Sequence, residues 1–199
     1  MPPTELVLAS QNPGKLAEMS QLLDGLPFRI LDAADVGIRE GPEETGRTFL
    51  ENAAQKALYY SRLSGRLAVA DDSGLSVDAL GGSPGLYSSR FAGVGATDEE
   101  RNRFLLEKLR GVPDEKRGAR FTSAVAVARD GRVIFEAMET VDGRIAGQPR
   151  GANGFGYDPL FFYPPFGKTF GEAPRAEKDR VSHRGKAFAR LREFLADLV

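Results

Sequence analysis

The sequence contains no cysteine and a single histidine, His183. Without cysteine the chain has no disulfide framework and no thiolate nucleophile. With one histidine and no cysteine it also has no zinc site of the Cys₂His₂ type. The absence of cysteine fits the reducing environment of the cytoplasm, and we expect a cytoplasmic protein.

The chain also lacks an excess of either charge. Its 27 basic and 28 acidic residues leave a net charge of −1, which gives no bulk attraction to nucleic acid or to an anionic membrane. No apolar run approaches the ~20 residues of a membrane-spanning helix. Residues 1–5 carry no basic segment or long apolar stretch of a secretory signal. We therefore expect no nucleic-acid partner and no membrane partner.

What is present is an ordinary globular composition, with 41% hydrophobic and 28% charged residues among 199. This length suffices for a single domain over residues 1–199, or for two lobes that share a sheet. The elements predicted from apolar spacing are helices over residues 15–23, 49–63, 98–109 and from about 182, and strands over residues 5–9, 28–31, 67–72 and 160–163.

Local signals mark the ends of several of these elements. Segments 48–51 and 97–100 each place Thr three residues before Glu, the capping box that opens a helix. Gly65 is placed to end the second helix. Asp130-Gly131 separates two apolar runs and predicts a type I′ hairpin. A hairpin beside strand–helix–strand patterns predicts an α/β or α+β fold with a mixed sheet.

The most informative motif is a pair of acids, Asp71 and Asp72, at the end of the apolar run 67–70. Ser73 and Gly74 follow and predict a turn directly after the acids. Successive residues of a strand point to opposite faces, so we expect one carboxylate to face a given site. A carboxylate at a strand end suits a hard cation such as Mg²⁺, or a base that activates water.

Residues 10–15 form a second motif, between the first predicted strand and the first helix. A loop that enters a helix presents unpaired N–H groups and the positive end of the helix dipole to an anion. Ser10 and Asn12 add neutral polar groups, and Lys15 adds a point charge for phosphate. The loop lacks the G-x-x-x-x-G-K pattern and is therefore no Walker A loop.

Three further segments combine polar groups with loop or helix-start signals. Glu43 and Glu44 precede a helix, where acids also favour the helix dipole. Residues 154–159 place an aromatic side chain between two glycines, where it can stack on a planar base. Residues 175–184 offer several donors at the start of the last helix, suited to phosphate or to a carbonyl oxygen.

Together these segments resemble the inosine triphosphate pyrophosphatase family, enzymes that remove non-standard purine nucleoside triphosphates. The resemblance covers residues 8–191 and rests on the order and spacing of five segments: residues 10–15, 70–75, 80–85, 154–159 and 182–185. Ser10 stands where many members have Thr, which keeps the hydroxyl group.

The resemblance implies an α/β fold with an elongated mixed central sheet, flanking helices and two lobes around an active-site cleft. It implies hydrolysis of ITP, dITP and XTP to the monophosphate and pyrophosphate with Mg²⁺, by a homodimer. It implies Asp72 as the catalytic base, and Asp72 with Glu43 as metal ligands. The substrate contacts implied in the same way are Ser10, Gln11, Asn12, Pro13, Gly14, Lys15, Ser73, Phe155, Gly156, Tyr157, Asp158, Lys178, His183 and Arg184.

Several alternatives stay open at this point. Glu44 or another acid could replace Glu43 as the second metal ligand. The chain could be a related pyrophosphatase with a different base preference, or a protein that binds a nucleotide without hydrolysing it. The motifs also assign no residue to the purine 2-amino group that distinguishes GTP.

Overall fold

The computed structural model describes residues 3–198. Seven strands and five helices follow one another along this part of the chain, joined by loops and short 3₁₀ turns. In chain order they are β1 (Thr4–Leu8), α1 (Pro13–Leu22), β2 (Phe28–Leu31), α2 (Phe49–Ser64), β3 (Leu67–Val77), α3 (Asp98–Lys108), β4 (Gly118–Arg129), β5 (Arg132–Ile145), β6 (Phe161–Tyr163), β7 (Lys168–Thr169), α4 (Arg175–Val181) and α5 (His183–Ala196).

The strands form one mixed sheet in the order β2-β1-β3-β4-β5-β6-β7. β1 runs parallel to both β2 and β3, because helical crossovers join these strands. β5, β6 and β7 pair in antiparallel fashion. The predicted α/β class with a mixed sheet is therefore confirmed.

The turn and capping signals in the sequence correctly predicted the ends of several helices and strands. Asp130 and Gly131 both have positive φ, 52° and 74°, as a type I′ turn between β4 and β5 requires. Thr97 and Glu100 form the complete capping box of α3. Gly65 ends α2 in the left-handed conformation with φ 65°. These ends depend on residues close in sequence, which is why the sequence predicts them.

Three predictions need correction. β3 does not turn after Asp72 but continues to Val77, because Leu75 and Val77 alternate into a second apolar cluster. The capping box of α2 is only half formed: Thr48 caps Glu51 N–H, but the Glu51 carboxylate accepts from Arg47 N–H instead of Thr48 N–H. Helix α4 and the short strand β7 were not predicted.

The chain forms two compact units, neither of which is one continuous segment. The first contains residues 1–72, 123–139 and 184–199, and the second contains residues 73–122 and 140–183. In the first, α1 and α5 pack on one side of an apolar cluster from β1, β3 and β4, and α2 packs on a separate cluster from the same strands. The second has an aromatic-rich core from β3 to β6 and α3, which also includes Phe170 just after β7. Among residues 3–198 no helix is long and apolar enough to cross a membrane.

Candidate active site

Asp71 is the buried centre of an ion network in the first unit. Its carboxylate accepts from Ser123 Oγ at 2.5 Å, and pairs with Lys15 Nζ at 2.9 Å and with the Arg184 guanidinium at 3.1 Å. The same guanidinium donates to Glu18 Oε2 at 2.6 Å. The side chains of Asp71, Glu18 and Arg184 are all 5% exposed or less. Two basic groups thus hold a buried carboxylate in one orientation.

The charges in this network set the protonation of its members. Burial alone would raise the pKa of Asp71, but the Arg184 guanidinium and the Lys15 ammonium outweigh it, and this pKa lies well below its ordinary value. Burial lowers the pKa of Lys15, and the attraction of Asp71 offsets that effect only in part. Asp71 is therefore ionised at neutral pH.

Asp72 lies in a second network, centred on Lys56 of α2. Lys56 Nζ is 3.0 Å from Asp72 Oδ1 and 2.9 Å from Glu44 Oε1. Asn52, one turn earlier on the same helix, donates from Nδ2 to Asp72 Oδ2 at 3.1 Å. Burial lowers the pKa of Lys56, but the carboxylates of Asp72 and Glu44 together raise it by a larger amount. The pKa of Lys56 therefore lies above its ordinary value.

The two networks meet at one backbone atom. Lys15 Nζ lies 3.4 Å and Lys56 Nζ 3.0 Å from the carbonyl oxygen of Asp71. The side chains of Asp71 and Asp72 enter different networks, as strand alternation predicts. Two ammonium groups and two carboxylates are thus gathered within β3 and its neighbours. Such a set can bind phosphate oxygens, hold a hard cation and accept a proton.

The predicted anion loop leads into the start of α1. Pro13 is the first helical residue and Gly14 the second, and Asn12 caps the helix by accepting from Lys15 N–H at 3.1 Å. Ser10 Oγ accepts from Asn12 N–H at 3.2 Å and so shapes the turn. The Lys15 side chain reaches from this loop to Asp71. The loop is therefore joined to Asp71, the first of the two acids.

Gln11 and Glu43 are among the predicted site residues that are exposed to solvent. Gln11 is exposed, and its Nε2 donates to the backbone of Arg39 at 2.7 Å. Glu43 is also exposed, whereas the next residue, Glu44, reaches Lys56. Of the two acids considered as second metal ligand, the structure brings Glu44 into the network of Asp72.

The second unit contains a separate polar cluster around the glycine-flanked aromatic residue. Asp158 Oδ2 accepts from Phe155 N–H at 3.0 Å and from Lys178 Nζ at 2.5 Å. Lys178 Nζ also lies 5.5 Å from the centroid of the Phe155 ring. Gly154 has φ +73°, and a Cβ there would collide with the Asp158 carboxylate. Position 154 therefore needs glycine so that the Asp158 carboxylate can reach the Phe155 N–H.

Other predicted contacts of the second unit are more enclosed. Tyr157 is buried in the core, and its hydroxyl donates to Ser88 O at 2.8 Å. Burial raises the pKa of Tyr157, so the phenol stays neutral. The His183 ring stacks on Phe121 with centroids 4.6 Å apart. Ser73 is half-buried in β3, next to Asp72 in the chain. The structure thus gives Tyr157 a packing role.

Sequence reasoning missed Glu18, Asn52, Lys56 and Ser123, although it named their partners. Asn52 and Lys56 are four residues apart and so share a face of α2. That polar pair on a partly apolar helix was the one available signal. Glu18 is 166 residues from Arg184 and Ser123 is 52 residues from Asp71. No local pattern marks pairs so far apart.

Comparison with known proteins identifies the family of this chain. Residues 6–194 match the model of the Ham1 family. The dITP/XTP pyrophosphatase of Yersinia pestis is 46% identical over 197 residues, which is 97% of this chain and 98% of that protein. The dITP/XTP pyrophosphatase of Thermus thermophilus is 50% identical over 195 residues, which is 97% of this chain and 92% of that protein.

A solved structure, a HAM1 protein from Coxiella burnetii, superposes with a TM-score of 0.87 at 42% identity, over 98% of this chain and 99% of that one. The chain belongs to the Ham1 family. The family resemblance and the fold class predicted from the motifs are both confirmed.

Proposed function

We propose that this protein hydrolyses non-standard purine nucleoside triphosphates, namely ITP, dITP and XTP, to the monophosphate and pyrophosphate, and so removes them from the nucleotide pool. The observation that carries the proposal is the convergence of Lys15 and Lys56 on the backbone of Asp71, beside the carboxylates of Asp71 and Asp72. The names of the relatives in Yersinia pestis and Thermus thermophilus support the same reaction.

In this proposal Asp72 is the general base. It accepts a proton from a water molecule whose oxygen attacks the α-phosphorus. The bond from the α-phosphorus to the bridging oxygen breaks, and pyrophosphate leaves with that oxygen. Lys15 and Lys56 bind phosphate oxygens and stabilise the charge that develops on the leaving group. Lys56 and Asn52 also keep the Asp72 carboxylate in place.

The donor set of the first unit fits Mg²⁺. Asp72 and Glu44 present hard oxygens around one lysine, and no cluster of three or more acidic, histidine or cysteine side chains is assembled within residues 3–198. Mg²⁺ commonly takes one or two carboxylates and completes its shell with water and substrate phosphates. We propose Asp72 and Glu44 as its ligands, in preference to Glu43. When bound, the ion neutralises triphosphate charge and orients the phosphate oxygens.

Removal of divalent cations is expected to lower pyrophosphate release from ITP by about 10²-fold or more, because the triphosphate charge is then left to two lysines. The measurement is the rate after exhaustive chelation and dialysis, followed by addition of Mg²⁺ or of Zn²⁺. We expect Mg²⁺ to restore the rate better than Zn²⁺, since the proposed ligands are oxygens. An unchanged rate in the metal-free protein would exclude the metal from the reaction.

We propose that the cluster of the second unit binds the base. Phe155 stacks on the purine, and Lys178 and His183 donate to its 6-oxo group. The resemblance also implied Arg184 as a substrate contact. Its terminal nitrogens already donate to Glu18 and Asp71, and we therefore propose that Arg184 holds Asp71 in place.

A substrate panel tests the proposed function. We expect kcat/KM for ITP and XTP to exceed that for ATP by about 10²–10⁴-fold, because adenine presents an amino group where the site offers donors. The measurement is pyrophosphate release from ITP, dITP, XTP, GTP, ATP, dTTP and UTP. A preference for a pyrimidine would support the alternative base specificity. Tight binding of ITP without pyrophosphate release would support a nucleotide-binding protein without hydrolysis.

Three further predictions belong to the same proposal. A single domain over residues 1–199, a homodimer and a cytoplasmic location follow from the family resemblance and from the absence of cysteine. The molar mass in solution, measured by light scattering against the 21.6 kDa of one chain, tests the dimer.

A further inference from the structure

Helix α3 holds the backbone of Gly156 by both of its polar groups. Gly156 N–H donates to Asp98 Oδ2 at 2.6 Å, and Gly156 O accepts from Asn102 Nδ2 at 2.9 Å. Asp98 and Asn102 are four residues apart and therefore lie on the same face of the helix. All three residues belong to the second unit.

These contacts restrict the residue just before Gly156, which is Phe155. The Phe155 N–H donates to the Asp158 carboxylate, and the Phe155 carbonyl accepts from Asp158 N–H at 3.2 Å. The peptide plane from Phe155 to Gly156 is thus hydrogen-bonded on one side to Asp158 and on the other to Asp98. With the backbone fixed, the Phe155 ring keeps only the freedom of its own side-chain torsions.

The loop borders open space on the side of α3. A cavity of about 600 Å³ lies between the loop and α3, and its lining includes Asn102, Phe155 and Gly156. A glycine-rich loop beside open space can shift unless directional contacts hold it. The two hydrogen bonds from α3 supply such contacts on the side of the loop that faces the cavity.

For both Asp98 and Asn102, the contact with Gly156 is the interaction that explains the residue type. Asn102 is buried, yet its Oδ1 accepts no hydrogen bond from residues 3–198, which carries a cost that an apolar side chain would avoid. Asp98 is not needed to cap α3, because Thr97 and Glu100 already form the capping box. It contacts Gly156 and Arg101 instead.

We infer that Asp98 and Asn102 are positioning residues, which hold Phe155 in the orientation that stacks on the purine base. The inference rests on the proposed function, and specifically on base stacking by Phe155. It adds a determinant of substrate affinity on a helix that none of the family motifs includes.

The first test is kinetic. Asp98→Ala is expected to raise KM for ITP by about threefold to tenfold, the range of one lost hydrogen bond, with kcat changed by less than about twofold. Glu99→Ala is the matched control, since it removes an exposed acid from the same turn without contact to Gly156; its KM should match the wild type. Asn102→Ser, which shortens the donor to Gly156 O, is the second variant if Asp98→Ala folds poorly.

A double-mutant cycle then tests whether Asp98 acts through the Phe155 ring or whether its loss only destabilises the second unit. Phe155→Ala should raise KM by about 5- to 150-fold, the range for loss of one base stack. In that background Asp98→Ala should change KM by less than about twofold, because the ring it positions is gone. Full additivity of the two changes would overturn the inference, and so would an unchanged KM in both Asp98→Ala and Asn102→Ser. An unchanged KM in Phe155→Ala would instead count against base stacking itself.

Discussion

The Asp72→Asn variant is expected to fold and to lose about 10²–10⁴-fold in kcat for ITP, the usual range for loss of a general base. The substitution keeps the size of the side chain but removes its charge. Lys56 loses one of its two carboxylate partners. The NH₂ group of the new asparagine then faces another donor, either Lys56 Nζ or Asn52 Nδ2. Steady-state pyrophosphate release gives kcat, and circular dichroism confirms the fold.

Asp78→Asn is the matched control for this experiment. It makes the same chemical change at an exposed residue just after β3, and its kcat should equal that of the wild type. If the Asp72→Asn protein is folded and nearly as active as the control, another group must activate the water. In that case Glu44 becomes the next acid to test, because it shares Lys56 with Asp72.

The largest effect on stability is expected from Arg184→Ala, which should lower the free energy of unfolding by about 3–5 kcal/mol. The change leaves the buried carboxylates of Asp71 and Glu18 without their shared cation. Arg190→Ala is the matched control on the same helix. Arg190 pairs with Glu139 at the surface, and exposed pairs contribute about 0–1 kcal/mol. Urea denaturation of the two variants measures the difference.

The pH dependence of stability follows from the direction of the Asp71 shift. Its pKa is lower in the folded protein than the ordinary 3.8, so the folded state binds fewer protons. The stabilisation is complete above that ordinary value and is lost as the pH falls through the folded pKa. Arg184→Ala removes the largest of the interactions that lower the pKa of Asp71, while Lys15 and Ser123 remain, so we expect this pKa to be higher than in the wild type. The variant should therefore lose less stability than the wild type between neutral pH and about pH 2.

The same variant also tests the role of Arg184 in catalysis. A residue that holds Asp71 in place affects all substrates, so the rates with ITP and ATP should fall by the same factor. A loss confined to ITP would place Arg184 at the base and so make it a substrate contact, the role that the family resemblance implied. A free energy of unfolding no lower than that of Arg190→Ala would contradict the buried ion network.

The sequence predicts those parts of the fold that depend on neighbouring residues. The hairpin at Asp130-Gly131 needs two residues with positive φ, and α3 needs only the hydrogen bonds of residues 97–100. The predicted end of β3, after Asp72, was wrong because the prediction considered only neighbouring residues. Ser73 and Gly74 have low strand propensity, but the burial of Leu75 in a second core overrides that preference.

In the candidate site too, the sequence predicts residues that stand in local motifs but not their distant partners. Motifs show Asp71, Asp72 and Lys15 because these residues stand in short recognisable segments. The partners that set their charge and orientation lie on other elements: Lys56 on α2 and Arg184 on α5. The same limit applies to Arg184, because its sequence neighbourhood shows donors at a helix start but not the carboxylates of Glu18 and Asp71 to which they donate.

The division of the chain between its two units has a consequence for synthesis on the ribosome. The polypeptide passes from one unit to the other after residues 72, 122, 139 and 183. Domains usually fold from the N-terminus as they are made, but the buried ion network of residues 1–72 is complete only after residues 184–199 are made, because these carry the guanidinium for Glu18 and Asp71. We therefore expect a nascent chain to expose β1, β3 and α1 to chaperones and proteases until α5 has been synthesised. A premature stop codon before α5 would yield material for degradation instead of a partial enzyme.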